Sequence, residues 1–181
     1  MCDKGLVYMQ GKRVNIARAL INSDTNLVLR KQEKLSIIFE DDDIIAINKP
    51  AFLDSYELEK KFHPYVLLHR LDKETSGVIV MTKNEPIRLK CINEFKKLKV
   101  YKEYVAIVHG LCSDEIEINE LIETKKHKNK ARSFVSRSGK PAYSKVSPIS
   151  YVGKKSKVKI VMTHGRTHQI RVHLAYISMP I

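Results

Sequence analysis

Residues 156–163 alternate strictly, with Val158, Ile160 and Met162 falling on one side of an extended chain and Lys157 and Lys159 on the other. A chain with such a segment must cover one face of a sheet and leave the other to water. Residues 101–108 and 142–152 read the same way, and Gly77–Met81 is a β-branched run suited to a buried strand. Ile37-Ile38-Phe39 and Ile44–Ile47 flank the acidic turn Asp41-Asp42-Asp43, which predicts a hairpin ending at Pro50. Residues 5–13, turned at Gln10-Gly11, predict another. Helical spacing is confined to two places. Ile87, Cys91, Ile92, Phe95 and Leu98 recur between Glu85 and Lys99, while Ile170, Leu174 and Ile177 follow Thr167, which is placed to cap a helix. Strands outnumber helices and show no regular βαβ order. The expected class is therefore α+β, a mainly antiparallel mixed β-sheet with inserted helices.

Charge is distributed as unevenly as hydrophobicity is evenly. All 20 acidic residues lie at or before Glu123, among 19 basic ones; from Thr124 onward there are 14 basic residues and no acidic one. The net charge of +13 thus belongs to the last third of the chain. A solubilising tail would explain it blandly, but a polyanionic partner explains it better, and nucleic acid is the natural one. Residues 124–140, basic and poor in apolar side chains, are expected to be a mobile loop that wraps RNA. A hydrophobic fraction of 43% excludes a disordered chain. No apolar run is long enough to span a bilayer, and Met1-Cys2-Asp3-Lys4 lacks the layout of a signal peptide. Three cysteines without metal-ligand spacing suggest reduced thiols and a cytoplasmic location. His164, His168 and His173 invite a metal site. However, the i, i+4 pair His164/His168 straddles the predicted helix start, and no cysteine or carboxylate in the last third completes the set. Asp41-Asp42-Asp43 lacks calcium-loop spacing, so no metal is expected.

Three segments carry chemistry. They are His69-Arg70-Leu71-Asp72-Lys73-Glu74-Thr75-Ser76-Gly77, then Tyr101-Lys102-Glu103-Tyr104-Val105-Ala106-Ile107-Val108-His109-Gly110, then Gly165-Arg166-Thr167-His168-Gln169-Ile170-Arg171-Val172-His173. Seen alone, each has an ordinary reading: a turn before a strand, a core tyrosine, a surface arginine. Together, in order, they resemble the RluA/RluD family of pseudouridine synthases. That family's pattern runs H-R-L-D-x-x-T-S-G, K-x-Y-x-A-x-V-x-G and G-R-T/S-H-Q-I/L-R-V-H. The similarity covers about residues 36–181, including Ile44–Pro50.

The resemblance implies an RNA isomerase that needs no cofactor. Such an enzyme detaches uracil from C1′ of its ribose, turns it, and reattaches it through C5. Asp72 matches the family's catalytic aspartate, which acts either as nucleophile at C1′ or as base at C2′. Arg171 matches the arginine that pairs with this carboxylate and offsets its desolvation. Tyr104 matches the tyrosine packed on the base, the candidate to remove the C5 proton. Arg70 matches the arginine that fills the space left by the flipped nucleotide. His69, Arg166, His168, Lys125, Lys126, Lys128, Lys130 and Arg132 are the further expected RNA contacts. Ribosomal RNA is the expected partner, transfer RNA the second candidate, and the enzyme is expected to be a monomer. Residues 1–34 are read as a remnant of an S4-like RNA-binding module and 35–181 as the catalytic domain. Family members continue past Pro180-Ile181 into further strands, so the resemblance implies a fold incomplete at its C-terminal end. The rival reading is a truncated, inactive RNA-binding relative.

Overall fold

The computed structural model describes residues 2, 6–14, 20–29, 31, 33–127 and 130–181, without the side chains of residues 126, 127 and 130. The chain divides into two compact units, Met1–Ile92 and Asn93–Ile181. All strand pairs between named strands of the described residues are antiparallel, so the α+β class holds without a parallel pair.

The first unit opens with β1 (Val7–Met9), β2 (Lys12–Arg13) and β3 (Leu27–Leu29), a small sheet in the order β2-β1-β3. The predicted Gln10-Gly11 turn is present, with both residues at positive φ (48° and 75°), as a tight two-residue hairpin turn requires. Gly5 lies outside the described residues. Next come β4 (Ser36–Glu40), β5 (Ile44–Lys49), α1 (Ser55–Lys61), β6 (Val66–Leu67) and β7 (Gly77–Thr82), whose strands form a second sheet ordered β4-β5-β7-β6. The acidic turn works as expected: the Asp41 carboxylate accepts from the N–H groups of Asp43 and Ile44. Ile45, Ile47, Ile79 and Met81 bury one face of the sheet under Leu58 of α1.

The helix α1 was not anticipated from sequence. Its signal is Asp54-Ser55-Tyr56-Glu57, since the Asp54 side chain accepts from Tyr56 N at 2.8 Å and caps the first turn.

α2 (Glu85–Lys96) joins the units and stops earlier than the predicted Lys99. Leu98 adopts a left-handed conformation (φ 58°), Leu98 N donates to Phe95 O and Lys99 N to Glu94 O. This is a Schellman closure with leucine in the place glycine usually takes.

The second unit contains β8 (Glu103–His109), β9 (Ile116–Ile118), β10 (Ile122–His127), β11 (Lys130–Val135), β12 (Ser144–Val152), β13 (Lys155–Met162) and α3 (Gln169–Tyr176). Four strands form a sheet in the order β8-β13-β12-β9. Val158 and Ile160 are fully buried with Val108, Val146 and Leu174, while Lys157 is exposed. The strict alternation of the sequence is therefore the sheet's two faces.

Two expectations need correction here. Residues 124–140 are not a loop throughout: β10 and β11 form an antiparallel hairpin, with Thr124 opposite Ser133 and Lys125 opposite Arg132. Its apolar poverty misled, because only the root is fully buried, with Ile122 3% exposed, and the other described side chains of the two strands are partly buried or exposed. The root is closed by reciprocal bonds between Ile122 and Lys140, both 2.9 Å, and by Ser136 and Ser138 hydroxyls donating to the Glu123 carboxylate. Gly139 packs so tightly there that a Cβ would stand 2.6 Å from Ile122 C and 2.8 Å from Leu121 C. The cap of α3 is the second correction. His168, not Thr167, is the capping residue, held left-handed at φ 55° and ψ 26° without a side-chain cap bond. The first helical residue compensates, since Gln169 Oε1 reaches back to accept from Arg166 N.

Candidate active site

Asp72 lies in the connection 68–76 between β6 and β7. This stretch has no regular structure, yet its backbone is fixed at close intervals. Ser55 Oγ donates to Leu71 O at 2.8 Å and accepts from Leu71 N at 3.2 Å. Phe52 N donates to Lys73 O at 2.6 Å, and Thr75 N to Asp72 O at 3.0 Å. His69 Nε2 accepts from Val80 N at 3.1 Å, which binds the entry of the connection to the exit strand and makes Nδ1 the protonated nitrogen of a neutral ring. Gly77 leaves the connection at φ 133°, a conformation that favours glycine; the space around it is ordinary, with Leu71 Cδ1 at 3.8 Å from a built Cβ.

Lys49 organises this arrangement from beneath. It is fully buried, and its ammonium donates to Pro50 O (3.1 Å), Leu53 O (2.8 Å) and Lys73 O (3.2 Å). All three donors are therefore matched to carbonyls that flank the Asp72 connection. Burial pulls the Lys49 pKa below its usual value, while the charges of Asp54 and Asp72 oppose that fall. Lys49 was overlooked from sequence, although the signal was present: it follows Ile45 and Ile47 at period two, so a strand places it on the buried face. Arg70 is exposed, with Nη1 3.4 Å from the Tyr56 hydroxyl.

In the second unit, Tyr104 is half-buried on β8 and packs against the Val108, Val158 and Ile160 core. Two residues before it, Lys102 donates through Nζ to Thr163 O and His164 O, and its own carbonyl accepts from Met162 N. The start of β8 is thus tied to the turn that carries Arg166 and His168. Burial, with Arg166 as a second cause, lowers the Lys102 pKa. Arg166 Nε donates to Pro141 O at 2.9 Å, and Arg171 is half-buried in the first turn of α3. α3 is anchored by a buried polar group: Gln169 Nε2 donates to Tyr143 O and Ser144 Oγ, and His173 bonds Ser144 Oγ through Nδ1 and Glu120 O through Nε2. Both ring nitrogens of His173 are thereby used, which removes it as a metal ligand. Burial lowers its pKa, and that of His164, where Arg166 and Lys102 add to the effect.

On the hairpin, Lys125 and Arg132 are exposed, and Lys125 Nζ lies 5.4 Å from the Phe134 ring centroid and 3.5 Å from Glu123. Lys126 and Lys130 stand in the paired strands, and Lys128 lies outside the described residues.

Residues 27–176 match the family model for RNA pseudouridylate synthase. The chain is also 45% identical, along its whole length, to an RNA pseudouridine synthase of Helicobacter pylori strain J99, of which it covers 75%.

The chain belongs to the RNA pseudouridylate synthase family.

Its chemistry is therefore that of an isomerase acting on RNA. It is 31% identical over 193 residues to the ribosomal large subunit pseudouridine synthase C of Buchnera aphidicola subsp. Baizongia pistaciae, covering 94% of this chain and 61% of that one. Among solved structures, human RNA pseudouridylate synthase domain containing 1 superposes with a TM-score of 0.70 at 26% identity, over 82% of this chain and 67% of that one. In this pseudouridylate synthase the three sequence motifs are thus three held backbone segments: one framed by Lys49 and Ser55, one by Lys102, and one by Gln169 and His173.

Proposed function

We propose that this enzyme is an RluA/RluD-type synthase in which Asp72 acts on the sugar of a uridine in ribosomal RNA, as nucleophile at C1′ or as base at C2′, with transfer RNA the alternative substrate. The observation that carries the reading is the framing of the Asp72 connection. A surface turn needs no buried ammonium beneath it, whereas a carboxylate that must meet a ribose at a defined angle does. Tyr104 and Arg171 keep the roles that the resemblance gives them, proton removal at C5 and support of the carboxylate. Arg70, His69, Arg166, His168 and the basic hairpin residues take the RNA. The names of relatives, which act on the large ribosomal subunit, favour ribosomal over transfer RNA. Free cysteines agree with a cytoplasmic enzyme, and we read residues 1–34 as an S4-like module before the catalytic domain.

The test is tritium release from RNA labelled at uracil C5, using ribosomal and transfer RNA transcripts in parallel. Asp72→Asn is expected to abolish release while RNA affinity stays within about twofold, because phosphate contacts dominate binding. A large affinity loss with an intact melting curve would refute this division of roles. Release from transfer RNA alone would move the substrate assignment, and silence with both would favour a binding protein that has lost turnover.

A further inference from the structure

The N-terminal sheet reaches the Asp72 connection through one side chain. Arg13, at the end of β2, places Nη2 2.6 Å from Glu74 Oε1, two residues past Asp72. The same guanidinium lies over the Phe52 ring, 4.7 Å from its centroid. Phe52 and Glu74 are not independent targets. Phe52 N donates to Lys73 O, and Lys73 O also accepts from Lys49. Arg13 therefore grips both sides of Lys73, the residue that follows Asp72. Phe52 itself stands at φ 67°, a left-handed conformation that a bulky residue adopts only when its surroundings impose it. The flat guanidinium above its ring is one such surrounding group, and a lysine could not both stack and fork in this way.

We infer that Arg13 is a positioning residue for the isomerisation, through which the N-terminal sheet sets the backbone that presents Asp72. The inference rests on the Asp72 reading above. A partly exposed ion pair contributes little to global stability. Its effect should therefore appear in turnover, and RNA reaching the N-terminal sheet would act on the reaction through this pair.

The experiment uses the full chain and tritium release under saturating and limiting RNA, with melting curves for every variant. Arg13→Glu and Glu74→Arg each lower kcat about tenfold, with KM within about twofold and Tm nearly unchanged. The charge-exchanged double variant Arg13→Glu/Glu74→Arg restores the ion pair but not the stack on Phe52, so its kcat lies above both single variants and below the parent; Arg13→Lys, which keeps the charge and loses the stack, likewise falls between. Single variants that keep the parent kcat, or a double variant no better than the singles, would overturn the inference. So would a fall in Tm with kcat unchanged well below the transition, which marks a structural latch only. Asp72→Asn run alongside separates the two failures. If it is inactive and Arg13→Glu is normal, this inference alone falls; if it is active, the Asp72 reading falls with it.

Discussion

Lys49 and Asp72 illustrate how differently two charged residues of one site bear on the protein. Asp72 can change to Asn at little structural cost, as its expected phenotype is chemical. Lys49 has three carbonyl acceptors in a region sealed from water. Lys49→Met preserves length and apolar bulk but removes the ammonium from Pro50 O and Leu53 O and leaves Lys73 O with Phe52 N alone, and the expected destabilisation is about 3 kcal/mol. A lowered urea midpoint at unchanged slope, together with lost turnover, is the expected result; an unchanged midpoint would show that water replaces the ammonium. Sequence reasoning singles out Asp72 and passes over Lys49 for a physical reason. The proposed catalytic carboxylate stands in a motif, whereas a buried lysine at the end of an apolar strand resembles the polar residue that ends such strands. Only the period-two register distinguishes the two.

At the level of elements, a long strand with one buried face was legible, as in β13, because burial writes itself as alternation, whereas the three-residue β9 was too short to show it. β10 and β11 were not legible either, since beyond Ile122 none of their described side chains is fully buried and no alternation marks a face. The seven-residue α1 was hidden for a related reason, having only Ser55 and Leu58 buried. What distinguishes the hairpin is charge. Replacing Lys125 and Arg132 together with glutamine should lower the slope of log affinity against log salt by about 1.4, at about 0.7 for each phosphate of single-stranded RNA that is no longer neutralised. Fluorescence anisotropy at several salt concentrations measures it. A parallel line shifted only in intercept would mean that the two side chains do not meet phosphates.

Two histidines give the whole molecule a pH response above the carboxylate range, to which Asp41, Glu115 and Glu123, held below the usual carboxylate value by hydrogen bonds, add at lower pH. Burial depresses the pKa of His173 in the folded state, against 6.5 for a free ring, and His164 shifts the same way. The unfolded chain then binds protons first as pH falls. The histidine contribution should be level well above pH 6.5, where both states are neutral, and decline as pH drops through 6.5 toward the depressed folded values. Melting temperatures between pH 8 and pH 5 test this, and His173→Gln, which keeps a hydrogen-bonding side chain without titrating, should flatten part of the decline. The same residue shows what sequence could and could not say of the molecule. His173 was visible as part of a motif, but its partner Ser144 lies 29 positions away and its other acceptor is the Glu120 carbonyl. No local pattern encodes that meeting.

Gly139 gives the basic hairpin a history as well as a position. With Ile122 and Leu121 backbone atoms under 3 Å from where any Cβ would stand, the root accepts one residue type only. The strands beyond it, with no fully buried side chain described past Ile122, tolerate changes of composition and length more readily. Descent with modification can therefore lengthen, shorten or recharge this arm freely while its hinge point stays as it is. Related enzymes that part company over which RNA they serve would be expected to differ first in the reach of the arm and last at the glycine from which it springs.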